Sequence, residues 1–334
     1  MSLKADMRVI LITGGCGYLG SQLIRDLAGD PHFADVVIRI LDNMQRRGYP
    51  ALMNLPTEGR YQFIEGDILD PVAMRWALEG VDAVVHLAAV VKTPFSFDHP
   101  AWMEQVNHWG TAQLVERCLD ARVTRFIFAS SASVYGPGGV FDETSICRPV
   151  GPYAQSKWRA EQVVMAARER GLRPTVLRLA TAFGYAPTMR FDAVANRFAY
   201  LAGIGRPLTV YGTGEQIRPL IHVRDASRAI RFCLAHSEDT EDHIFNVVGE
   251  NVSVLDVVEA VRSVKPEVRI HYTEQDVLTH LSFAIDGRKF ERMGWEPRYT
   301  VEAGMAEVLA LFKGLAALSA EFPEIPTDSI HNHT

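Results

Sequence analysis

The sequence lacks the features that mark a secreted or metal-binding protein. Its four cysteines (Cys16, Cys118, Cys147 and Cys233) lie far apart, with no CxxC pair and no Cys/His cluster at metal-ligand spacing. We therefore expect free thiols in a reducing compartment and no metal site. The chain also begins without a basic segment followed by an apolar one, so no signal peptide is predicted. These absences favour a cytoplasmic protein.

Excess positive charge and long apolar runs are absent as well. The chain has 34 Lys and Arg against 40 Asp and Glu, a net charge of −6. This balance argues against a general nucleic-acid binder but leaves room for a local basic pocket. The longest apolar helical stretch, residues 301–319, carries Glu302, Glu307 and Lys313, which is typical of an amphipathic surface helix. We expect no nucleic-acid partner and no membrane partner.

The first half of the 334 residues alternates short apolar runs with longer helical stretches. Such alternation predicts a parallel sheet with right-handed crossovers and helices on both faces. The length exceeds what one compact core usually holds, so we expect two lobes. The predicted strands are Arg8–Thr13, Val36–Leu41, Tyr61–Ile64, Ala83–His86, Arg125–Ala129 and Thr175–Leu179, and the predicted helices are 17–28, 71–79, 101–120 and 153–170.

A glycine-rich turn follows the first predicted strand. Thr13–Gly20 reads TGGCGYLG and opens a helix, with Gly14, Gly17 and Gly20 at GxxGxxG spacing. Glycine permits a tight turn and lets backbone N–H groups approach a pyrophosphate at the positive end of a helix. An ordinary tight turn is the alternative, but the strand before and the helix after favour a dinucleotide site.

The second predicted strand ends at an acidic residue. Asp42 can accept hydrogen bonds from adenosine ribose hydroxyls and would repel a 2′-phosphate, so NAD is favoured over NADP. Two alternatives stay open here. Asp42-Asn43 also suits a simple turn start, and Arg46 and Arg47 are near enough in sequence to meet a 2′-phosphate.

Past residue 180 the strand–helix rhythm breaks. A helix is predicted near 192–202, and helix 224–235 with strand Ile244–Val248 is read as a return to the main sheet; helix 253–263 and a strand near 268–272 come next. The predicted fold is α/β, a Rossmann-type doubly wound parallel sheet with a smaller interleaved α/β substrate lobe. The predicted division is 1–179 plus about 219–248 for the dinucleotide-binding domain, about 180–218 plus 249–318 for the substrate lobe, and 319–334 for a flexible tail.

A hydroxyl cluster and a tyrosine–lysine pair form the second motif. Arg125–Gly136 (RFIFASSASVYG) reads as a strand ending in serines, and Pro152 opens a helix with Tyr153 and Lys157 on one face. A neighbouring ammonium and a positively charged nicotinamide both favour the phenolate, so we expect the tyrosine pKa to fall towards neutrality. YxxxK alone is a common surface pair. Combined with the glycine turn and the Ser131 hydroxyl, it predicts a catalytic site.

With these motifs in place, the chain resembles the extended short-chain dehydrogenase/reductase family. The likeness is to the NAD-dependent epimerase/dehydratase branch, which contains UDP-glucose 4-epimerase, and runs to about residue 315. TGGCGYLG, LDN, EGDI, HLAA, NHWGT, SSASVYG and YAQSK carry it. The resemblance implies NAD as cofactor and Ser131, Tyr153 and Lys157 as catalytic residues. The implied cofactor contacts are Gly14, Gly17, Tyr18, Leu19, Asp42, Asn43, Asp67, Ile68, Leu87, Ala88, Ala89, Asn107, Tyr153 and Lys157.

One further residue of these motifs is read as structural. His86 ends an apolar strand, and we interpret it as a buried histidine with satisfied hydrogen bonds rather than as an acid or base.

The resemblance also implies a nucleotide-diphosphate sugar as substrate, held by the second lobe. Two departures bear on its identity. Thr181 stands where the family often has an asparagine, and the stretch THLSFAID lacks the family's arginine, although His280 is close by. One phosphate contact and the choice of sugar therefore stay open. The implied substrate contacts are Ser131, Tyr153, Thr181, Val210, Tyr211 and Arg218.

The two residues after Ser131 bear on the reaction. The family's 4,6-dehydratases carry an Asp and a Glu there, and its decarboxylases tend to carry a Glu; this chain has Ala132 and Ser133. The pattern resembles the 4-epimerase subgroup, so we expect C4 epimerisation through a transient 4-keto sugar. Dehydratase, decarboxylase and keto-sugar reductase activity stay as alternatives, with a non-catalytic dinucleotide-binding protein behind them. By analogy, helices 101–120 and 153–170 predict a homodimer.

Overall fold

The computed structural model describes residues 8–91, 98–274 and 282–315. The predicted tail 319–334 and His280 lie outside these ranges.

Strands and helices alternate through the first half of the chain, as expected. The strands are β1 Val9–Thr13, β2 Val37–Asp42, β3 Arg60–Glu65, β4 Ala83–His86, β5 Arg125–Ser131, β6 Val140–Phe141, β7 Arg173–Leu179, β8 Thr181–Phe183, β9 Leu208–Tyr211, β10 Ile217–His222, β11 His243–Val247, β12 Glu250–Ser253, β13 Ile270–Thr273 and β14 Ala284–Ile285. The helices are α1 Tyr18–Ala28, α2 Pro71–Leu78, α3 Pro100–Glu104, α4 Gly110–Asp120, α5 Pro152–Ala166, α6 Val194–Gly203, α7 Val223–Ala235, α8 Ser237–Thr240, α9 Val254–Arg262, α10 Arg288–Glu291 and α11 Val301–Ala310.

The central sheet has seven parallel strands in the order β11-β7-β5-β4-β1-β2-β3. Its inner strands are apolar on both faces because helices cover both sides, and separate core clusters lie on the two faces. The chain leaves β1 and β4, which are neighbours, in opposite directions. A crevice therefore opens at the carboxyl ends of these strands. The predicted Rossmann-type sheet is confirmed.

A smaller lobe is built from the later strands. Strands β8, β10 and β12 form one sheet and β9 pairs with β13, around a core that includes Phe198, Leu220 and Met305. We predicted that the segment from about residue 219 returns to the first domain. Strand β10 lies partly in that segment, yet it pairs with β8 and β12. Helix α7 packs on α1 and β11 joins the main sheet, as predicted. The division into domains stays a prediction.

Two predicted helices differ from the observed ones. The stretch 101–120 consists of α3 and α4 joined by a π-helical turn, Gln105–Trp109. The C-terminal helix α11 ends at Ala310, where we expected it to run to residue 319.

Candidate active site

The glycine turn forms a close-packed cradle at the start of α1. Gly14 has φ +70°, and a Cβ there would lie 2.6 Å from the Ala88 backbone. A Cβ on Gly20 would lie 2.5 Å from the Gly15 carbonyl oxygen. Gly17 caps α1 without a side-chain hydrogen bond, and no acidic residue lies in the first turn. The first N–H groups of the helix are thus free to bind an anion, which fits a dinucleotide pyrophosphate.

At the end of β2, Asp42 holds the glycine turn in place. Its carboxylate accepts hydrogen bonds from the backbone N–H groups of Cys16 and Met44, both at 2.9 Å. Burial raises the pKa of Asp42. A carboxylate has about four acceptor positions, so two bonded donors leave room for ribose hydroxyls. Beside it, Asn43 donates to Asp67 at 2.8 Å, which brings two more of the predicted cofactor residues together.

Ile68 and Leu87–Ala89 also lie around this crevice. Ile68 is buried against Gly110, where a Cβ would approach its side chain to 2.7 Å. Leu87 follows β4 and donates its N–H to the Thr13 carbonyl at 3.0 Å. Leu19 packs against the core below the sheet. Their contacts with a cofactor stay predictions.

A buried hydrogen-bonded chain links β1 to the catalytic helix α5. His86 contacts the Thr13 hydroxyl at 2.7 Å and the Thr111 hydroxyl at 2.9 Å. Thr111 donates to the Asn107 carbonyl at 2.6 Å, and the Asn107 amide reaches the Ser156 hydroxyl at 3.1 Å. Because Thr111 uses its proton on a carbonyl, it accepts from His86, which places the imidazole proton on Nε2.

The structural interpretation of His86 agrees with its surroundings. Burial and the Lys157 charge lower the pKa of His86 to about 3, so the ring is neutral. The Asn107 side chain is enclosed in the same way. Its amide oxygen accepts from the Val90 N–H at 2.7 Å, and its amide nitrogen donates to the Val90 carbonyl at 2.9 Å. The side chain of Asn107 therefore fixes the loop after β4, and its predicted contact with a cofactor is not tested.

Ser131 and Tyr153 meet at the carboxyl end of β5. Ser131 accepts a hydrogen bond from the Ser133 N–H at 3.2 Å, which starts a short 3-10 turn, Ala132–Tyr135. Burial raises the pKa of Tyr153, although the Ser131 hydroxyl favours the phenolate and opposes that rise. The expected fall towards neutrality, to which the charge of a bound nicotinamide contributes, stays a prediction.

The Lys157 side chain is buried at 3% exposure, with Nζ 4.2 Å from the centre of the Phe128 ring. Burial lowers the pKa of Lys157 to about 7, while the Glu161 carboxylate opposes that fall.

The cation that acts on Tyr153 is one that the sequence analysis missed. The Arg190 guanidinium lowers the Tyr153 pKa, and the Asp192 carboxylate raises it. These two residues form an ion pair with Arg190 Nε 2.8 Å from Asp192 Oδ1. The Arg190 guanidinium also donates a hydrogen bond of 3.5 Å to the carbonyl oxygen of Val91, in the segment after β4. The motif TMRFD that carries both residues has no local signal that would point to Tyr153.

The same loop is tied to the glycine turn through Tyr18. The Tyr18 hydroxyl donates to the Gly184 carbonyl at 2.5 Å and accepts from the Asn196 amide at 3.1 Å. Asn196 also donates to the Arg190 carbonyl at 2.9 Å. Burial raises the pKa of Tyr18, so its hydroxyl stays protonated. The predicted cofactor residue Tyr18 thus joins α1 to the substrate lobe.

On the substrate side, Arg218 is the main candidate ligand. It lies on β10, and its guanidinium makes a single contact, 3.4 Å to the neighbouring Ile217 carbonyl, among the hydrogen bonds and ion pairs of the described residues. Burial lowers the pKa of Arg218 to about 10. A half-buried guanidinium without a carboxylate suits a phosphate, whose oxygens it can bind bidentately.

The other predicted substrate residues are placed differently. Thr181 starts β8, next to β10, and is half-buried. Val210 is fully buried in the core of the small lobe, so only its main chain is open to a ligand. Tyr211 follows it, and its carbonyl accepts from Gln216 at 3.0 Å.

Fold and site together define a Rossmann-type enzyme with a dinucleotide crevice. Residues 10–248 match the NAD dependent epimerase/dehydratase family. The dTDP-D-glucose 4,6-dehydratase of Bos taurus is 29% identical over 91% of this chain and 88% of its own. The structure of UDP-glucose 4-epimerase from Thermotoga maritima with UDP-glucose has a TM-score of 0.78 at 26% identity, covering 92% of this chain and 99% of its own. DesIV, a dTDP-glucose 4,6-dehydratase from Streptomyces venezuelae with NAD and TYD bound, has a TM-score of 0.78 at 27% identity over 92% and 97%.

The chain belongs to the NAD-dependent epimerase/dehydratase family. The predicted family, fold and cofactor NAD are confirmed. Epimerases and dehydratases are both among the similar proteins, so the family assignment leaves the reaction open. Across the residues that the structure describes, no helix has the length and apolar character needed to span a membrane. The homodimer and the cytoplasmic location stay predictions.

Proposed function

We propose that the protein is an NAD-dependent nucleotide-sugar epimerase that inverts C4 through a 4-keto intermediate. The observation that carries this proposal is the turn after Ser131, which brings two residues without acid–base capacity next to the catalytic hydroxyls. Ala132 is buried, and Ser133 Oγ lies 2.9 Å from Ser131 Oγ.

Elimination of water from a sugar needs an acid for the leaving hydroxyl and a base for the neighbouring carbon. Neither Ala132 nor Ser133 fills such a role near neutral pH. Among the described residues, Asp192 is the carboxylate whose charge acts on Tyr153. Arg190 lowers the pKa of Asp192, which keeps it ionised and makes it a poor acid. Apart from the hydride transfer, epimerisation needs only one group that accepts a proton and returns it, and we assign this role to Tyr153.

The residues of the chain have distinct tasks in this reaction. Tyr153 takes the proton of the C4 hydroxyl as phenolate and returns it after reduction. Ser131 shares the hydrogen bond to the same oxygen, and the Arg190 guanidinium favours the phenolate form. Lys157 lies one helical turn from Tyr153 and, in this proposal, binds the nicotinamide ribose.

NAD, when bound, supplies the hydride acceptor and donor at the crevice. The glycine turn, Asp42 and Asn43 would hold it, since the N–H groups in the first turn of α1 have no capping side chain and suit a pyrophosphate. Arg218 would bind the substrate diphosphate, with Thr181 and the β9 main chain at Val210 and Tyr211 beside the nucleotide.

Dehydration is the second candidate, since several similar curated proteins are named as 4,6-dehydratases. For this chain it would require an acid and a base beyond Ala132 and Ser133. A decarboxylase or a keto-sugar reductase has less support, because the described site offers no observation that favours either.

Proton NMR of the purified protein with NAD and each of the UDP, dTDP, GDP and CDP sugars distinguishes these reactions. Epimerase activity gives a new anomeric signal of the C4 epimer with no change in NADH absorbance. A 6-deoxy methyl signal would establish dehydration, and net NADH formation or consumption would establish an oxidoreductase; either result would replace the proposal. Unchanged spectra across all four series would reject it.

A further inference from the structure

A cleft of ≈ 340 Å³ lies on the opposite edge of the main sheet from the active site. It is formed by the end of α1, the C-terminal half of α7 and the loop after α10. The ends of α1 and α7 lie at the amino ends of the strands, because α1 leads into β2 and α7 leads into β11. The lining residues are Asp30, His32, Phe33, Arg228, Arg231, Phe232, Ala235, His236, Gly294, Trp295 and Arg298.

Three arginines around this cleft outnumber the nearby carboxylates. Arg231 pairs with Asp30 at 2.8 Å and Arg228 pairs with the buried Asp225 at 2.5 Å. The exposed Arg298 side chain has no ion pair within the described ranges. Among the residues that line the cleft, three guanidinium groups face one carboxylate, that of Asp30.

Hydrogen-bond donors are in excess as well. The Trp295 side chain is 2% exposed, and its indole N–H has no partner among the described residues. The Nε–H of Arg231 is also buried without a partner there. An unpaired buried donor costs about 1–3 kcal/mol, so two such donors lining one cleft indicate a ligand that brings acceptors.

The carboxylate that lines the cleft is already engaged by two donors. Asp30 already accepts from Arg231 and from the His32 N–H at 3.0 Å. His236 donates its Nδ1 proton to the Phe232 carbonyl at 3.0 Å, and this fixes the ring against the cleft wall. The donors that remain point to an oxyanion, and planar guanidinium groups match the oxygens of phosphate.

We propose that this cleft binds phosphate, either as the free ion or as the phosphoryl group of a small metabolite, at a site separate from the active site. Arg298 and Arg231 supply the charge, and Trp295 donates one hydrogen bond through its indole N–H. The aromatic wall formed by Phe33 and Phe232 would receive an apolar part of a metabolite. This proposal is independent of the reaction that the active site performs.

The test is calorimetric titration of the NAD- and UDP-saturated protein with inorganic phosphate and, in parallel, with phenyl phosphate. Saturation with NAD and UDP occupies the active-site phosphate positions. We expect Arg298→Gln to weaken phosphate binding about tenfold, as loss of a charge-assisted hydrogen bond does. Trp295→Phe keeps the stacking on Phe290 and removes only the donor, and a smaller loss of affinity is expected. Tighter binding of phenyl phosphate identifies a metabolite site, and equal binding identifies a site for the free ion.

Two matched variants serve as controls. Trp76→Phe changes an exposed tryptophan on α2, away from the cleft, and Arg206→Gln removes one exposed positive charge of the small lobe. Both should leave the phosphate affinity of the NAD- and UDP-saturated protein unchanged. The absence of a binding signal in the parent protein, or equal affinity in the parent, Arg298→Gln and Trp295→Phe proteins, would overturn the proposal.

Discussion

The polar side chains on the two sides of the active-site crevice differ in how many hydrogen-bond partners the protein gives them. On the cofactor side, Asp42, His86 and Asn107 each have several protein partners at hydrogen-bonding distance. On the substrate side, Arg218 makes one weak contact within the described structure, to its neighbour's carbonyl. The cofactor side is therefore already organised, whereas the substrate side relies on its ligand for charge compensation. Substitutions on the first side should affect folding, and those on the second should affect turnover and affinity.

The largest effect is expected for Tyr153→Phe. The variant loses the proton acceptor for the C4 hydroxyl, so turnover should fall about a thousandfold or more. Stability and NAD affinity should stay near the parent values, because the substitution removes only a hydroxyl and keeps the aromatic ring. NMR of the sugar nucleotide and thermal unfolding measure the two quantities. Tyr200→Phe in the small lobe is the control, and near-parental turnover by Tyr153→Phe would remove this residue from the mechanism.

Gly14→Ala tests the organised side. The φ of +70° strains any residue with a Cβ at this position, and that Cβ would also clash with the Ala88 backbone at 2.6 Å. Gly80 has φ +66° with nothing within 4 Å of its Cβ position, so Gly80→Ala reports strain alone. We expect Gly80→Ala to cost about 1–2 kcal/mol in the free energy of unfolding and Gly14→Ala roughly 1–3 kcal/mol more. Denaturant unfolding with and without NAD measures both, and equal costs would contradict the close packing of the cradle.

Arg218→Gln tests the substrate side. Loss of a charged hydrogen-bond donor to phosphate should raise the KM for the sugar nucleotide about tenfold or more. Unfolding should change little, since the guanidinium has no carboxylate partner in the described structure. The exposed Arg206→Gln serves as a control for the loss of one positive charge in this lobe. A marked fall in stability with unchanged KM would reverse the assignment of the two sides.

The smallest expected effect is a shift in the pH profile. Tyr153 must lose its proton to act, so activity falls as the pH drops below its pKa. Because the Arg190 charge lowers that pKa, Arg190→Met should move the acidic limb to higher pH, by about one unit. Asp192 raises the pKa, so Asp192→Asn should move the limb to lower pH. Shifts of the same sign in both variants would show that the pair acts through structure and not through charge.

The cofactor side was predictable from the sequence because its signals are local. The spacing of Gly14, Gly17 and Gly20 and the Tyr153–Lys157 interval each lie within one turn or one helix. The interpretation of His86 followed from its place at the end of an apolar strand, and burial with two hydroxyl partners agrees with it.

The substrate side was less predictable because it depends on how distant segments pack. Arg190 and Asp192 reach Tyr153 only after the small lobe folds against the main sheet, and no spacing along the chain records this contact. The pairing of strand β10 was missed for the same reason. Its partners are separate segments of the chain, β8 before it and β12 after it. The effect of burial on the Tyr153 pKa was missed because sequence motifs reveal neighbours but not burial.

Because of the π-helical turn Gln105–Trp109, the number of residues between α3 and α4 matters to the packing of these helices as much as the identity of those residues does. Each residue added to or removed from a helix rotates the N-terminal part of that helix by about 100° relative to its C-terminal part. The extra residue in this turn allows Met103 of α3 to be fully buried while Thr111 of α4 reaches His86. Removal of one residue here would turn Met103 out of the core without altering any catalytic side chain. Homologous enzymes that keep both contacts are therefore expected to conserve the number of residues between them.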